Sequence, residues 1–135
     1  MVWQTSDCCQ HPIDSFALYS PFRVFLNRAK HRKKFFDLTL ADLKDQWEQQ
    51  DGRCPYTGWA LKIPSTSSDR LAKTPDRASL DRKDSSKGYT RDNIQFVCLA
   101  AQYAKHTWTE AQFVDFIQSA KKNLDYHFTT TKSGV

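Results

Sequence analysis

The spacing of apolar positions changes character three times along the chain. Phe22, Phe25, Leu26 and Ala29 recur at helical spacing, behind Ser20-Pro21, a capping residue followed by a proline suited to the first helical position. This predicts a helix over roughly residues 21–34 that buries Phe and Leu and turns its cations to solvent. Leu40, Leu43 and Trp47 make a second stripe; Thr39 with Asp42 has the form of a capping box, and Gly52 is a C-terminal stop, so a second helix is expected at about 40–50. From Cys54 the pattern shortens. CPYTG at 54–58 is turn chemistry, 59–63 (WALKI) reads as a short strand, and 78–82 (ASLDR) and 93–98 (NIQFVC) read as two more. The serine-rich run 64–77 and the stretch 84–89 are loops, with Gly58 and Gly88 read as turn glycines of positive φ, and Tyr56 and Trp59 as core. Residues 99–105 are helix-prone. Thr109 and Gln112 form another capping box, followed by Phe113, Phe116, Ile117 and Ala120 at helical spacing.

The expected architecture is therefore α+β: a small antiparallel β-hairpin plus a helix, flanked by N- and C-terminal helices. One domain is expected over 1–135, with a loose lead-in at 1–13, a basic helical part at 14–52, the strand-loop-strand-helix core at 53–106, a closing helix at 107–124 and a loose tail at 125–135.

Composition narrows the partners. A chain of 135 residues can bury a core without disulfides or a structural metal. It has no run near the ~20 apolar residues of a membrane span. Its first residues lack the basic-then-apolar form of a secretory signal, so a cytoplasmic location is expected. The formal charge of +5 is clustered, in Arg23, Arg28, Lys30, Arg32, Lys33 and Lys34 and again in Arg77, Arg82, Lys83, Lys87 and Arg91, and this favours a polyanion. The four cysteines, Cys8, Cys9, Cys54 and Cys98, contain no CxxC pair from which a zinc site could be read.

The ordered run SLDRKDSSKGYTRDNIQFVC at 79–98, with CPYTG at 54–58 and QYAK at 102–105, resembles the HNH, or ββα-metal, endonucleases, particularly those of phages and mobile elements. The flanks 20–52 and 109–117 resemble the family's basic arm and closing helix. The resemblance implies a metal-dependent DNA endonuclease of homing, restriction or nicking type, acting in a bacterial or phage-infected cell. It implies a ββα core whose first strand and helix each bring a ligand to one divalent cation, Mg²⁺ with Mn²⁺ as the alternative. Asp81 matches the strand ligand, Asn93 the residue whose amide braces the hairpin loop, and Gln102 the helix position usually held by Asn or His. His106, four residues on, falls on the same side of the helix. The implied metal set is Asp81, Gln102 and His106, and the implied catalytic set Asp81, Arg82, Asn93 and His106. Arg23, Arg28, Lys30, Arg32, Lys33, Lys34, Lys83, Lys87, Arg91 and Lys105 are the expected contacts to double-stranded DNA.

Two positions depart from the pattern. Arg82 stands where the family's general base, a histidine, usually lies. A guanidinium stays protonated, so it binds phosphate rather than activating water. Water must then be activated by the cation alone, or by His106, Tyr89 or Asp84. Gln102 is neutral and longer than the usual ligand. A catalytically weak or inactive DNA-binding module on the same scaffold thus stands as the alternative, and a small RNA-binding protein or ribonuclease as a third reading. The zinc-bearing branch of the family has CxxC where this chain has Cys54 with Thr57 and Cys98 with Ala101. No structural zinc is expected, and completion by Cys8 and Cys9 is the one route to it. Taken singly, Asp81 reads as a salt-bridging carboxylate, Asn93 as a loop residue, Gln102 as a solvated helix residue and His106 as a helix-end histidine. So small a chain has little surface for a long site, which points to modest specificity, a homodimer, or nicking.

Overall fold

The computed structural model describes residues 20–64, 68–69 and 72–133. The lead-in at 1–13, with Cys8 and Cys9, lies outside the described residues. Among the described residues the fold is mixed α+β. Helix α1 (Arg23–Lys30), strand β1 (Phe36–Asp37) and helix α2 (Leu40–Gln49) come first. Strand β2 (Ala78–Arg82), strand β3 (Tyr89–Thr90), a 3₁₀ turn (Arg91–Asn93), strand β4 (Ile94–Cys98), helix α3 (Leu99–Lys105) and helix α4 (Glu110–Ser133) follow. β2 pairs antiparallel with β4, Ala78 opposite Cys98 and Asp81 opposite Gln95, whereas β1 pairs in parallel with β3. The connection 83–93 carries β3 and the 3₁₀ turn, so it is no tight hairpin.

Local chemistry explains most boundaries. The Ser20 hydroxyl accepts from the Phe22 N–H at 3.3 Å and the Ser20 carbonyl from the Arg23 N–H at 3.2 Å, which places the start of α1 two residues after the expected one. α1 also stops early, and Lys33 sits at φ 51°. The capping box of α2 is present, with Asp42 N–H to Thr39 Oγ1 at 3.2 Å and Thr39 N–H to Asp42 Oδ2 at 2.9 Å. Asp51 and Gly52, at φ 52° and 61°, then turn the chain out of α2. The box of Thr109 and Gln112 likewise opens α4.

Phe96, fully buried on β4, is the centre of the aromatic core. The rings of Trp47 and Phe25 meet it edge-on at 5.2 and 5.3 Å, and Phe22 lies at 5.8 Å. Each such pair is worth about 0.5–1.5 kcal/mol beyond its buried area. The backbone of Phe96 is satisfied by a side chain: its N–H donates to Gln50 Oε1 at 2.8 Å and its carbonyl accepts from Gln50 Nε2 at 2.7 Å. One glutamine at the end of α2 thus stands in for a neighbouring strand.

Four expectations need correction. Residues 59–63 form no strand; their strand-like pairing among the described residues is limited to the isolated bridges Arg53–Ala60 and Lys62–Arg77. Trp59 is 47% exposed rather than core, although Tyr56 does pack, edge-on at 4.9 Å, against Phe113. α4 runs to Ser133, so the tail expected from 125 is helical, helped by the Lys121–Asp125 pair at 2.7 Å, one turn apart. Gly58 does have positive φ, 72°, but Gly88 does not. Gly88 is needed because β3 passes close to the chain before β1: an added Cβ would lie 2.3 Å from the Phe35 carbonyl oxygen.

That approach gives a direct test. Gly88→Ala must push Phe35 away and strain the bond from the Tyr89 N–H to the Phe35 carbonyl, 2.7 Å long. Overpacking of this kind costs about 1–3 kcal/mol. Urea unfolding should show that loss as a lower midpoint at unchanged slope, and an unshifted midpoint would mean that β1 and β3 are not held at this distance.

Candidate active site

Cross-strand register places Gln95 directly opposite Asp81, and both side chains are buried. On α3, Ala101 and Lys105 are four residues apart and share the buried face. That brings the Lys105 ammonium, 1% exposed, against the Asp81 carboxylate, 5% exposed. Nζ lies 2.7 Å from Asp81 Oδ2, 2.8 Å from the Arg82 carbonyl and 3.3 Å from the Lys83 carbonyl, so each ammonium hydrogen has an acceptor. Gln95 Nε2 donates to the same Oδ2 at 3.1 Å and to the Tyr56 hydroxyl at 2.9 Å, which donates in turn to Glu110 at 3.1 Å. Burial pushes the Tyr56 phenol far above its ordinary value; Gln95 opposes the shift, and the charges of Glu110 and Asp81 reinforce it. The phenol therefore keeps its proton and can donate it. Lys105, expected among the DNA contacts, is instead a core cation, because its face of α3 packs on the sheet.

The 83–93 connection is held by two side chains. Asn93 accepts from the Asp84 N–H at 2.9 Å and donates to the carbonyls of Asp84 at 3.0 Å and Gly88 at 2.9 Å. Arg82 donates to the carbonyls of Ser85 at 2.7 Å and Lys87 at 2.8 Å, and its guanidinium lies 5.2 Å from the centre of the Tyr89 ring. Arg82 is thus a loop staple at the edge of the cleft. Of the other groups expected to activate water, Tyr89 is buried beneath that guanidinium. Asp84 is a loop carboxylate that accepts from the Ser86 hydroxyl and N–H, which hold it below its usual range and make it a weak base.

Asp81, Arg82, Gln102, Tyr103 and His106 line one open cleft, and Arg32 from beyond α1 closes its side. The three expected metal ligands therefore line the same cleft. Among the described residues no group of three His, Cys, Asp or Glu side chains could hold a metal, so a cation here would need the amide oxygen of Gln102. That oxygen is buried and has no hydrogen-bond partner, the one such side-chain atom among the described residues. Both hydrogen bonds to Asp81 fall on Oδ2. One carboxylate, one amide oxygen and one imidazole fit a water-rich Mg²⁺ or Mn²⁺ site, which is commonly completed by substrate phosphates. His106, exposed, sits at φ 49° and ψ −116°, a conformation that costs a non-glycine residue about 1–3 kcal/mol. Its N–H donates to the Gln102 carbonyl at 3.1 Å, which ties the two site residues together.

A second groove, lined by Arg28, Arg32, Ser79 and Tyr89, shares Arg32 and Tyr89 with the cleft, so the two are neighbours. Arg23, Lys33 and Lys34 are exposed, and Lys30 lies over the Phe36 ring at 5.6 Å. The other basic group lies among carboxylates. Lys83 and Arg91 share a cleft with Asp42, Asp45 and Asp92, Arg91 is 3.7 Å from Asp45, and Lys87 is 4.0 Å from Asp84.

Cys54 and Cys98 are both buried and reduced. Burial raises the Cys98 thiol. Burial acts the same way on Cys54, but donors from the Cys98 backbone, the Thr57 side chain and the Tyr56 and Thr57 backbone outweigh it and lower that thiol. Cys98 also caps α3, its sulfur accepting from the Ala101 N–H at 3.4 Å.

Compared with protein-family models, curated proteins and solved structures, the chain matches none. Its chemistry has to be taken from its own residues. Gln95 and Tyr56 were not singled out for the site from the sequence, and neither was the structural use of Lys105. A signal for Lys105 existed, since Cys98, Ala101 and Lys105 follow one helical face on which the first two are apolar.

The ion pair predicts strong coupling. Asp81→Ala and Lys105→Met should each destabilise the fold by about 3–5 kcal/mol, because each strands a buried charge. The double variant should lose clearly less than the sum when all three are unfolded in urea. Additive losses would mean that the two groups do not pair.

Proposed function

We propose that this chain is a metal-dependent DNA endonuclease of the ββα-metal type, acting in the cytoplasm on double-stranded DNA. One observation carries the reading: Gln102, which lines a cleft together with Asp81 and His106, has a buried side-chain oxygen with no hydrogen-bond partner among the described residues. Buried acceptors are nearly always matched, and a cation would match this one. The ordered run from Ser79 to Cys98 and its resemblance to HNH enzymes support the same reading.

Asp81 and Gln102 supply the oxygen donors that Mg²⁺ or Mn²⁺ prefers, and His106 completes the set or takes the proton from the attacking water. A divalent cation supplies charge neutralisation at the scissile phosphate and a more acidic water. Arg28 and Arg32 line the groove beside the cleft and pair with the DNA backbone. Such contacts position the duplex without reading its sequence, so affinity falls steeply with salt. Specificity then comes from the N-terminal region, the 64–77 loop or a second copy of the chain. Arg82, spent on loop carbonyls, provides no base, and modest turnover follows.

One observation favours a second reading, a DNA-binding module without catalysis. Lys105 already cancels the charge of Asp81 at 2.7 Å, and no other carboxylate lines the cleft among the described residues.

Plasmid cleavage with Mg²⁺, Mn²⁺ or EDTA separates the two. Asp81→Ala is a poor probe, because it unseats Lys105. Gln102→Ala and His106→Ala remove no side-chain hydrogen bond to the core among the described residues and are preferable. Wild type should nick or linearise DNA, EDTA should stop it, and His106→Ala should lower the rate by about 10²-fold or more with an unchanged circular-dichroism spectrum. Wild type that shifts duplex DNA in a gel yet never cuts it with either metal would establish the binding module. Cleavage of RNA alone would displace both.

A further inference from the structure

We infer that Lys105 is a positioning residue that sets how tightly the cleft takes a divalent cation: its ammonium holds Asp81 in place and competes with the cation for that carboxylate. The inference rests on the cation site proposed above and extends it to a residue that never reaches the cleft surface.

Three observations carry it. The ammonium cannot leave. Its three acceptors at 2.7, 2.8 and 3.3 Å use all its hydrogens, and the side chain is 1% exposed. Two of those acceptors are backbone carbonyls of residues 82 and 83, so the charge is fixed to the chain that carries Asp81. Asp81 is the only carboxylate that lines the cleft among the described residues, and the guanidinium groups of Arg32 and Arg82 line it too. Counting formal charges, one carboxylate faces two arginines on the cleft wall and one ammonium behind it. A divalent cation entering such a site meets net positive charge until a phosphate arrives. Gln95, donating to the same Oδ2 at 3.1 Å, fixes the carboxylate further but carries no charge. Lys105 is thus the group whose removal changes the electrostatics without removing a ligand.

The test is Mn²⁺ binding, followed by the loss of the free-ion electron paramagnetic resonance signal in the absence of DNA. Wild type, Lys105→Met, Lys105→Gln, and Lys105→Met combined with Asp81→Asn are titrated. Lys105→Met and Lys105→Gln should bind at least about tenfold more tightly than wild type, the effect of removing a nearby unit charge in a partly buried site. The added Asp81→Asn should abolish that gain. A merely structural lysine would leave affinity unchanged or lower it on substitution. Equal or weaker binding in both lysine variants would overturn the inference and leave the endonuclease reading intact if wild type binds. No Mn²⁺ bound by any variant would overturn the inference, and the plasmid cleavage above then decides the endonuclease reading by itself. If both lysine variants are unfolded in chelator, the same titration is read from folding. Recovery of the helical circular-dichroism signal with Mn²⁺ supports the competition, and no recovery at saturating Mn²⁺ overturns it.

Discussion

An ammonium sealed inside a domain this small has to be matched by acceptors whose places are fixed, and the matching of Lys105 draws several segments together. Its partners lie at the end of β2 and the start of the 83–93 connection, while the lysine itself ends α3. The shared carboxylate brings in Gln95 from β4, then Tyr56 from the turn after α2, then Glu110 from the first turn of α4. Burying an ion pair is seldom a net gain over apolar packing, since desolvation offsets much of the attraction. What such a pair does is penalise every arrangement in which a partner is missing. Here that penalty falls on any displacement of α3 relative to β2 and β4, the three elements that shape the cleft.

The same constraint, that buried polar groups find partners, explains the prominence of side-chain amides. The sheets are two-stranded and leave backbone edges unpaired. Gln50 pairs with both backbone groups of Phe96, Asn93 ties three backbone groups across the connection, and Gln95 links two side chains. An amide carries both donor and acceptor, so a single residue replaces a missing strand or closes a loop. Against that background the unmatched oxygen of Gln102 stands apart. Three amides are satisfied through the interior of the fold, and one, at the cleft, is not.

Periodicity made much of the fold legible. The strands at 78–82 and 94–98, the helix at 99–105 and both capping boxes follow from short-range rules that depend on a few neighbours. The run 59–63 misled because alternation alone does not supply a partner strand, and only single bridges reach it. The end of α4 was missed because its last turns are polar and no core contact marks them in the pattern. Gly88 was recognised as special for the wrong reason. Its role depends on Phe35, more than fifty residues away, which no local rule contains. The site divides along the same line. Gln102 and His106 share a side of α3 by simple spacing. The partner of Asp81 is a lysine that reads locally as one more surface cation in a basic chain.

This division bears on where the chemistry can reside. Asp81, Arg82 and Asn93 are absorbed by the fold, the first by Lys105 and Gln95, the second by loop carbonyls, the third by three loop bonds. Substituting any of them disturbs the scaffold. Gln102 and His106 are different. Among the described residues the oxygen of Gln102 has no hydrogen-bond partner, and the ring of His106 bonds the neighbouring Thr107 hydroxyl at 3.2 Å while its backbone holds an uncommon conformation. The conformation of His106 ends α3, whereas the unmatched acceptor beside it has no structural use among the described residues. Folds keep such a cost where a ligand repays it. Under the endonuclease reading proposed above, Gln102 and the α3-capping His106 would therefore be the groups open to a ligand, with the embedded motif residues holding them in place.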